Sequence, residues 1–264
     1  MLNRAVAAAG PGPATVAESL QRGMLGVIGA FTRPDGRLDY ARLRASPEWA
    51  EAAARAGALQ SVSLGDLVGR APRLAFWINV YNAMVFHGIV ALGIRRTVWE
   101  VRAFFARVSY RIGGFTLSAD DVEHGILRGN ARPGVFRCRC FGARDPRLAL
   151  TVHPVDPRIH FAITCGAQSC PPIGAYGAAA LDQQLDLAAR NFLNQEVGLD
   201  DRGCVACSRI LAWYAEDFEA MGGVGSVLLR YLDPGPLREA VSARPRPCDT
   251  YRPYDWALQH EPAE

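Results

Sequence analysis

Pro72-Arg-Leu-Ala-Phe-Trp-Ile-Asn79-Val-Tyr81-Asn82-Ala-Met-Val-Phe-His87-Gly-Ile-Val-Ala-Leu92 is the stretch on which the fold turns. It opens with a proline and is followed by Gly93, the usual punctuation of a helix. It is apolar nearly all round, which predicts a central helix buried on every face. Asn79, Asn82 and His87 then become polar groups inside a core. Each needs a partner, because an unpaired buried polar group costs about 1–3 kcal/mol. They either tie neighbouring loops to the helix or line a site. Asn79 is a candidate orienting residue or oxyanion donor, and Asn82 a candidate binding residue.

Upstream, Val16, Leu20, Val27 and Phe31 have helical spacing within 14–31, a stretch that also carries three glycines. Pro34-Asp35-Gly36 reads as a turn. Ser46-Pro47 is a cap and first residue for a helix to about Ala58, and 62–68 is a short helix or loop. Downstream, 98–106 is ambiguous in type. Ser109 to Leu117 reads as a hairpin turning at Gly113-Gly114. Ser118 caps a helix with Asp120 and Asp121 in its first turn, then Glu123, His124 and Arg128, ending at Gly129-Asn130. A long Arg-, Gly- and Cys-rich loop covers 129–147. Asp145-Pro146 and Asp156-Pro157 flank an expected strand at 148–152, and 158–164 is expected to be the next strand. A helix at 181–196, a brief strand at 205–208 and a helix at 209–221 closed by Gly222-Gly223 follow. Short helices at 228–232 and 237–241 and a last strand at 250–259 complete the chain. The expectation is an α+β single domain, with the central helix packed on a small, mostly antiparallel sheet and several peripheral helices around it. Residues 1–13 read as a disordered leader, 14–259 as the domain with its motif-bearing core at 72–259, and 260–264 as a tail.

The chain has 264 residues, 50% of them hydrophobic and 21% charged, with a net charge of +3. That charge is too small to argue for nucleic acid or a membrane surface as partner. No run reaches the roughly 18 apolar residues of a membrane span. The short alanine-rich start lacks a secretory apolar segment, so an intracellular, cytoplasmic protein is expected. Seven cysteines, an odd number, then suggest reduced thiols. Cys204 and Cys207 have CxxC spacing but neither a second zinc-type pair nor a thioredoxin context, so they read as two thiols in a short strand or loop.

Chemistry concentrates in Asp156-Pro-Arg158-Ile-His160-Phe-Ala-Ile-Thr-Cys165-Gly-Ala-Gln-Ser169-Cys170-Pro-Pro172. Cys165, in a small-residue loop, is a candidate nucleophile. It would need an imidazole to hold it as thiolate and donors for an oxyanion. His160, a candidate catalytic base, can hardly reach it along an extended strand, where five residues span about 16 Å. A usable pair needs a fold-back of His160, or it needs His124, oriented by Glu123 or Asp120, arriving from the preceding helix. Ser169 is a second hydroxyl in reach, though Gln168-Ser169-Cys170 is no nucleophile elbow. Cys170, Arg128 and Arg158 complete the candidate binding set. The set suits papain- or transglutaminase-like chemistry in a cysteine-dependent hydrolase or acyltransferase, although its order along the chain is not papain's. The plainer explanation is that the cysteines are small buried residues and that Arg128 and Arg158 pair with Glu123 and Asp156. A metal held by His124, His160, Cys165, Cys170 and Glu123 matches no standard zinc spacing. No cofactor is implied.

Five segments recur together elsewhere: Ala75 to Ala83, Leu117 to Gly129, Asp156 to Pro172, Ser208-Arg-Ile-Leu-Ala-Trp213-Tyr214-Ala-Glu-Asp217-Phe218, and Tyr254-Asp255-Trp256. In this order they resemble the uncharacterised family numbered 547 in the domain-of-unknown-function series, over roughly 36 to 259. No activity is agreed for that family. Its relatives occur alone or joined to leucine-zipper, glutaredoxin or DEP segments, and this chain resembles a standalone or truncated version. The resemblance therefore implies, beside the thiol enzyme, a non-catalytic scaffold that binds a small molecule, a peptide or a protein partner.

Overall fold

The computed structural model describes residues 1–4, 12–35, 38–132 and 138–259. The central helix runs from Arg70 to Ala91 and is buried without a break from Leu74 to Val90. By length and composition it could cross a membrane, yet 94% of its apolar window is covered by the rest of the protein. Gly93 ends it at φ +68°, and the Ile94 amide donates back to the Ile89 carbonyl at 3.1 Å. This is the left-handed glycine stop expected at a helix C-terminus.

The helix packs mainly against the helix Pro13–Phe31. Its polar residues are each paired. Asn79 exchanges two hydrogen bonds with the Tyr176 backbone, at 2.7 and 2.9 Å. Asn82 donates to the Ala162 carbonyl at 2.9 Å and accepts from the Thr164 amide at 2.9 Å. His87 Nδ1 lies 3.0 Å from the Tyr110 hydroxyl. Gly88 has a steric reason: a Cβ there would sit 2.6 Å from the Val108 side chain.

The fold is α+β with two small sheets rather than one. The hairpin Ser109–Ile112 and Phe115–Ser118 is antiparallel and turns at Gly113-Gly114, both at positive φ. The second sheet joins Gly198–Leu199, Val205–Cys207 and Thr250–Tyr251, the last pair parallel. Two hydrophobic cores result. The larger surrounds the central helix. The smaller gathers the helix Leu181–Glu196 and the short helices between Arg209 and Ser242.

Several expectations need correction. The segments expected as strands at 148–152 and 158–164 contain 3₁₀ helices, Pro146–Leu150 and Pro157–Phe161. In each the preceding aspartate accepts from a backbone amide, Arg147 or Arg158, and the proline takes the first helical position. Asp-Pro is here a cap and a helix start, not merely a turn. The helix expected at 209–221 is broken into Arg209–Trp213, Ala215–Phe218 and a 3₁₀ turn. Only Thr250–Tyr251 of the last segment is strand. Residues 257–259 instead hydrogen-bond to the 166–168 loop. The thiols are not all reduced: Cys165 is joined to Cys170 and Cys207 to Cys248. That splits the CxxC pair and leaves Cys204 outside any disulfide.

The leader is tied down at its start. Asn3 is buried and bonds to the Ala56 carbonyl and to both backbone groups of Arg111, at 2.8–3.0 Å. The rest of the leader at 5–11, Gly36 of the expected turn, 133–137 of the long loop and the tail from 260 lie outside the described residues.

Asn82→Ala is expected to lower the free energy of unfolding by about 1–3 kcal/mol, since it strands a buried amide and a buried carbonyl. Urea unfolding checks this. A loss below about 0.5 kcal/mol, the range of surface changes, would contradict it.

Candidate functional site

Between the two cores lies a cleft of about 170 Å³. The central helix contributes Tyr81. The next helix contributes Asp120, Glu123 and His124. The loop after the Pro157–Phe161 turn contributes Cys165 and Cys170. The Arg209–Trp213 segment and its sequel contribute Trp213 and Tyr214, and the C-terminal segment Tyr254 and Trp256.

Local structure explains how each group is aimed. Ser118 caps the second of these helices reciprocally: its hydroxyl accepts from the Asp121 amide at 3.1 Å, while the Asp121 carboxylate accepts from the Ser118 amide at 2.9 Å. Asp121–Leu127 is wound as a π-helix, a widened turn that often marks functional sites. It carries both Glu123 and His124. The Cys165 loop is held by Asn82 on one side and by the C-terminal segment on the other. There Gln168 N donates to Ala257 O at 2.7 Å and Gln259 N to Gly166 O at 2.8 Å. Gly166 sits at φ +84°, and a Cβ on it would meet Ile89 of the central helix at 2.5 Å.

The floor holds two hydrogen-bonded polar sets side by side, which approach at His124 Nδ1 and Glu123 Oε1, 3.7 Å apart. Glu123 accepts from the Tyr81 and Tyr214 hydroxyls, both at 2.7 Å. Burial pushes its carboxyl up, but its surroundings, the two tyrosine hydrogen bonds among them, outweigh that and hold it below its ordinary value. Burial, reinforced by the Glu123 charge, raises both tyrosines well above theirs. Arg128 donates from Nη1 to His124 Nδ1 at 3.0 Å. An arginine has no lone pair to offer, so His124 is an acceptor at Nδ1 and carries its proton on Nε2. Arg128 also grips Asp217 with two bonds, Nε to Oδ2 at 2.5 Å and Nη2 to Oδ1 at 3.1 Å.

Asp217 Oδ2 is in turn 2.7 Å from His160 Nε2. Burial pushes the Asp217 carboxyl up, yet His160 and Arg128 together bring it down to about 2. Burial lowers His160 despite the aspartate. A carboxylate beside a neutral imidazole places the proton on Nε2. His160 Nδ1 is then a bare acceptor, buried and without a hydrogen-bond partner among the described residues. The ring stacks on Tyr214 at 3.8 Å.

The rim is aromatic. Trp213, Tyr254 and Trp256 have ring centroids 4.5–6.0 Å apart. The Tyr254 hydroxyl points into the sulfurs, 3.2 Å from Cys165 Sγ and 3.0 Å from Cys170 Sγ.

Of the residues named from sequence, Glu123, His124, His160, Cys165 and Cys170 line the cleft. His160 stands on a 3₁₀ turn, so the extended-strand estimate does not apply to it. Among the described residues no histidine is hydrogen-bonded to either sulfur; their partners are each other, Tyr254 and the Cys165 amide. Asn79, Asn82, Arg128, Arg158 and Ser169 stand outside the lining. Asn79 and Asn82 brace backbone. Arg128 lies behind His124 and bonds Asp217 rather than Glu123, whose oxygens serve the tyrosines. Arg158 pairs with Asp156, Asp182 and Asp186. Ser169 accepts from the Asp255 amide at 2.9 Å. No group of three or more His, Cys, Asp and Glu among the described residues is arranged to hold a metal ion. Tyr81, Tyr214, Asp217, Tyr254 and the two tryptophans carry no local sequence signal of a role beyond standing inside the recurring segments.

The folded-state value of Asp217 lies below that of an unfolded aspartate, near 4. Its contribution to stability is therefore complete above about pH 4 and disappears as the pH falls to about 2. Asp217→Asn is expected to flatten the fall of the urea midpoint across that window. Equal slopes for the two proteins would contradict this.

No curated protein and no solved structure matches the chain. The family described as "Protein of unknown function, DUF547" matches residues 66–193. That span holds the central helix, the Glu123-His124 helix and the Cys165 loop, while the Trp213-to-Phe218 and Tyr254-to-Trp256 segments lie beyond it. Over residues 66–193 the chain is similar to this family of unknown function.

Proposed function

We propose that the cleft is a binding site for a small organic cation with a flat apolar body, free or as a side chain on a peptide. The observation that carries this is the pairing of a buried, fully oriented polar floor with an aromatic rim. Buried ionisable groups are costly to fold around unless paired, and a cluster of shifted groups in a cleft is a functional-site signature. The sign of the ligand follows from the charges. Arg128 is ion-paired with Asp217, and the Glu123 carboxylate, held below its ordinary value, has no arginine or lysine in ion-pair contact among the described residues. Asp120 and Glu123 line the cleft, and among the described lining residues there is no arginine. Aromatic faces favour a cation further.

A second reading keeps the cysteine-dependent hydrolase or acyltransferase. It is favoured by Cys165 sharing the cleft with His124, Glu123 and His160. It requires the Cys165–Cys170 bond to be opened first, because a disulfide sulfur is no thiolate. The cytoplasmic location expected from sequence would keep such pairs reduced, whereas the joined pairs suit an oxidising compartment.

Titration of tryptophan fluorescence with benzylamine and with phenylacetate at neutral pH separates these. Benzylamine is expected to saturate with a Kd about tenfold below that of phenylacetate, roughly 1.4 kcal/mol, and Glu123→Gln to erase the difference. Phenylacetate binding as tightly as benzylamine would overturn the cation reading. Hydrolysis of a nitrophenyl ester that appears only after reduction and vanishes in Cys165→Ala would establish the second.

A further inference from the structure

We infer that the Cys165–Cys170 disulfide is redox-active: a thiol entering the cleft attacks Cys165, and Cys170 leaves as a thiolate. The inference uses the same cleft as the binding proposal but does not depend on what the cleft binds.

The two disulfides are placed differently. Cys207 is wholly buried in the smaller core and lines no part of the cleft. Its bond to Cys248 closes 41 residues and clamps the three-stranded sheet. Cys165–Cys170 closes only five residues. Its loop is already held by Asn82, by Gln168 and by Gln259. A short closure constrains the unfolded chain least, and hydrogen bonds already fix the loop, so this bond is nearly redundant for the fold. It can open without moving the walls of the cleft.

The surroundings make the two sulfurs unequal. Cys165 is partly exposed in the cleft, while Cys170 is 9% exposed. The Cys165 amide donates to Cys170 Sγ at 3.0 Å, and the Tyr254 hydroxyl lies 3.0 Å from that sulfur and 3.2 Å from Cys165 Sγ. The backbone donor belongs to Cys170 alone, and the hydroxyl can turn to the sulfur on which charge develops; together they stabilise Cys170 as a thiolate and make it the better leaving group. In the first step the entering thiolate forms a bond to Cys165 Sγ. The Cys165–Cys170 bond breaks and its electron pair stays on Cys170 Sγ, beneath Tyr254 O–H and the Cys165 N–H. In the second step another thiolate attacks the external sulfur, forms the small-molecule disulfide and releases Cys165 as a thiolate, which takes a proton from water. Two thiols are oxidised and one protein disulfide is reduced.

The air-purified full chain, with its remaining thiols blocked by N-ethylmaleimide, is treated with β-mercaptoethanol at neutral pH, quenched at intervals and mapped by peptide mass spectrometry. Cys165–Cys170 is expected to open at least about tenfold faster than Cys207–Cys248, with the transient adduct on Cys165. Tyr254→Phe, checked as folded by circular dichroism, is expected to slow opening severalfold without changing the Cys207–Cys248 rate. Cys170→Ser is expected to trap a stable adduct on Cys165 when mixed with oxidised glutathione. Equal rates for the two disulfides, adducts on Cys170, or a Cys165/Cys170 pair that stays as free thiols in air would each overturn the inference. Comparing cysteamine with thioglycolate keeps the two proposals apart. Selective opening by both at equal rates sustains the exchange chemistry and removes the cationic preference.

Discussion

Glu123 is where the two halves of the molecule are joined. Its carboxylate takes one hydroxyl from Tyr81 on the central helix and one from Tyr214 behind the second core. Removing either donor would leave a buried carboxylate short of a partner, a loss of about 1–3 kcal/mol. The site geometry depends on this junction, because the cleft is the space left between the cores that it holds together. The π-helical turn on which Glu123 stands also presents His124, so one local irregularity supplies both the tie and a cleft-facing imidazole.

Beside that junction a second hydrogen-bonded set runs from His124 through Arg128 to Asp217 and His160. Each member's proton position is dictated by its neighbour, and no proton need move to complete the set. In a packed core apolar residues of similar volume would be no less stable, and this network is what the binding proposal rests on. The aromatic rim and the Cys165–Cys170 wall close the space above it. Asn82, next to Tyr81 on the central helix, sets the start of the cysteine loop through Thr164 and Ala162.

Local signals were readable in the sequence wherever one segment decides its own structure. The run from Pro72 to Gly93, the Gly113-Gly114 hairpin, the Ser118 cap and the helix Leu181–Glu196 all appear as periodicity and punctuation predict. The α+β class followed from them. Asp-Pro at 145–146 and 156–157 was read as a turn flanking strands, although the same pair caps a 3₁₀ helix. A short apolar run is ambiguous between the two. The site was half readable. Glu123, His124, His160 and Cys165 were named, but what gathers them is long-range: Tyr214 is 91 residues from Glu123 and Asp217 is 57 from His160. Cysteine pairing is likewise set by three-dimensional proximity, so an odd count pointed to thiols where two disulfides stand.

Arg128 at His124 Nδ1 and Asp217 at His160 Nε2 fix where each cleft histidine carries its proton, at Nε2 in both. Nitrogen-15 NMR of the imidazole rings of the intact protein at neutral pH reads this directly. The account predicts Nε2–H signals for both His124 and His160, with His160 Nδ1 showing the shift of an unprotonated nitrogen. Protonation of either Nδ1, as an imidazolium or as the other tautomer, would contradict it.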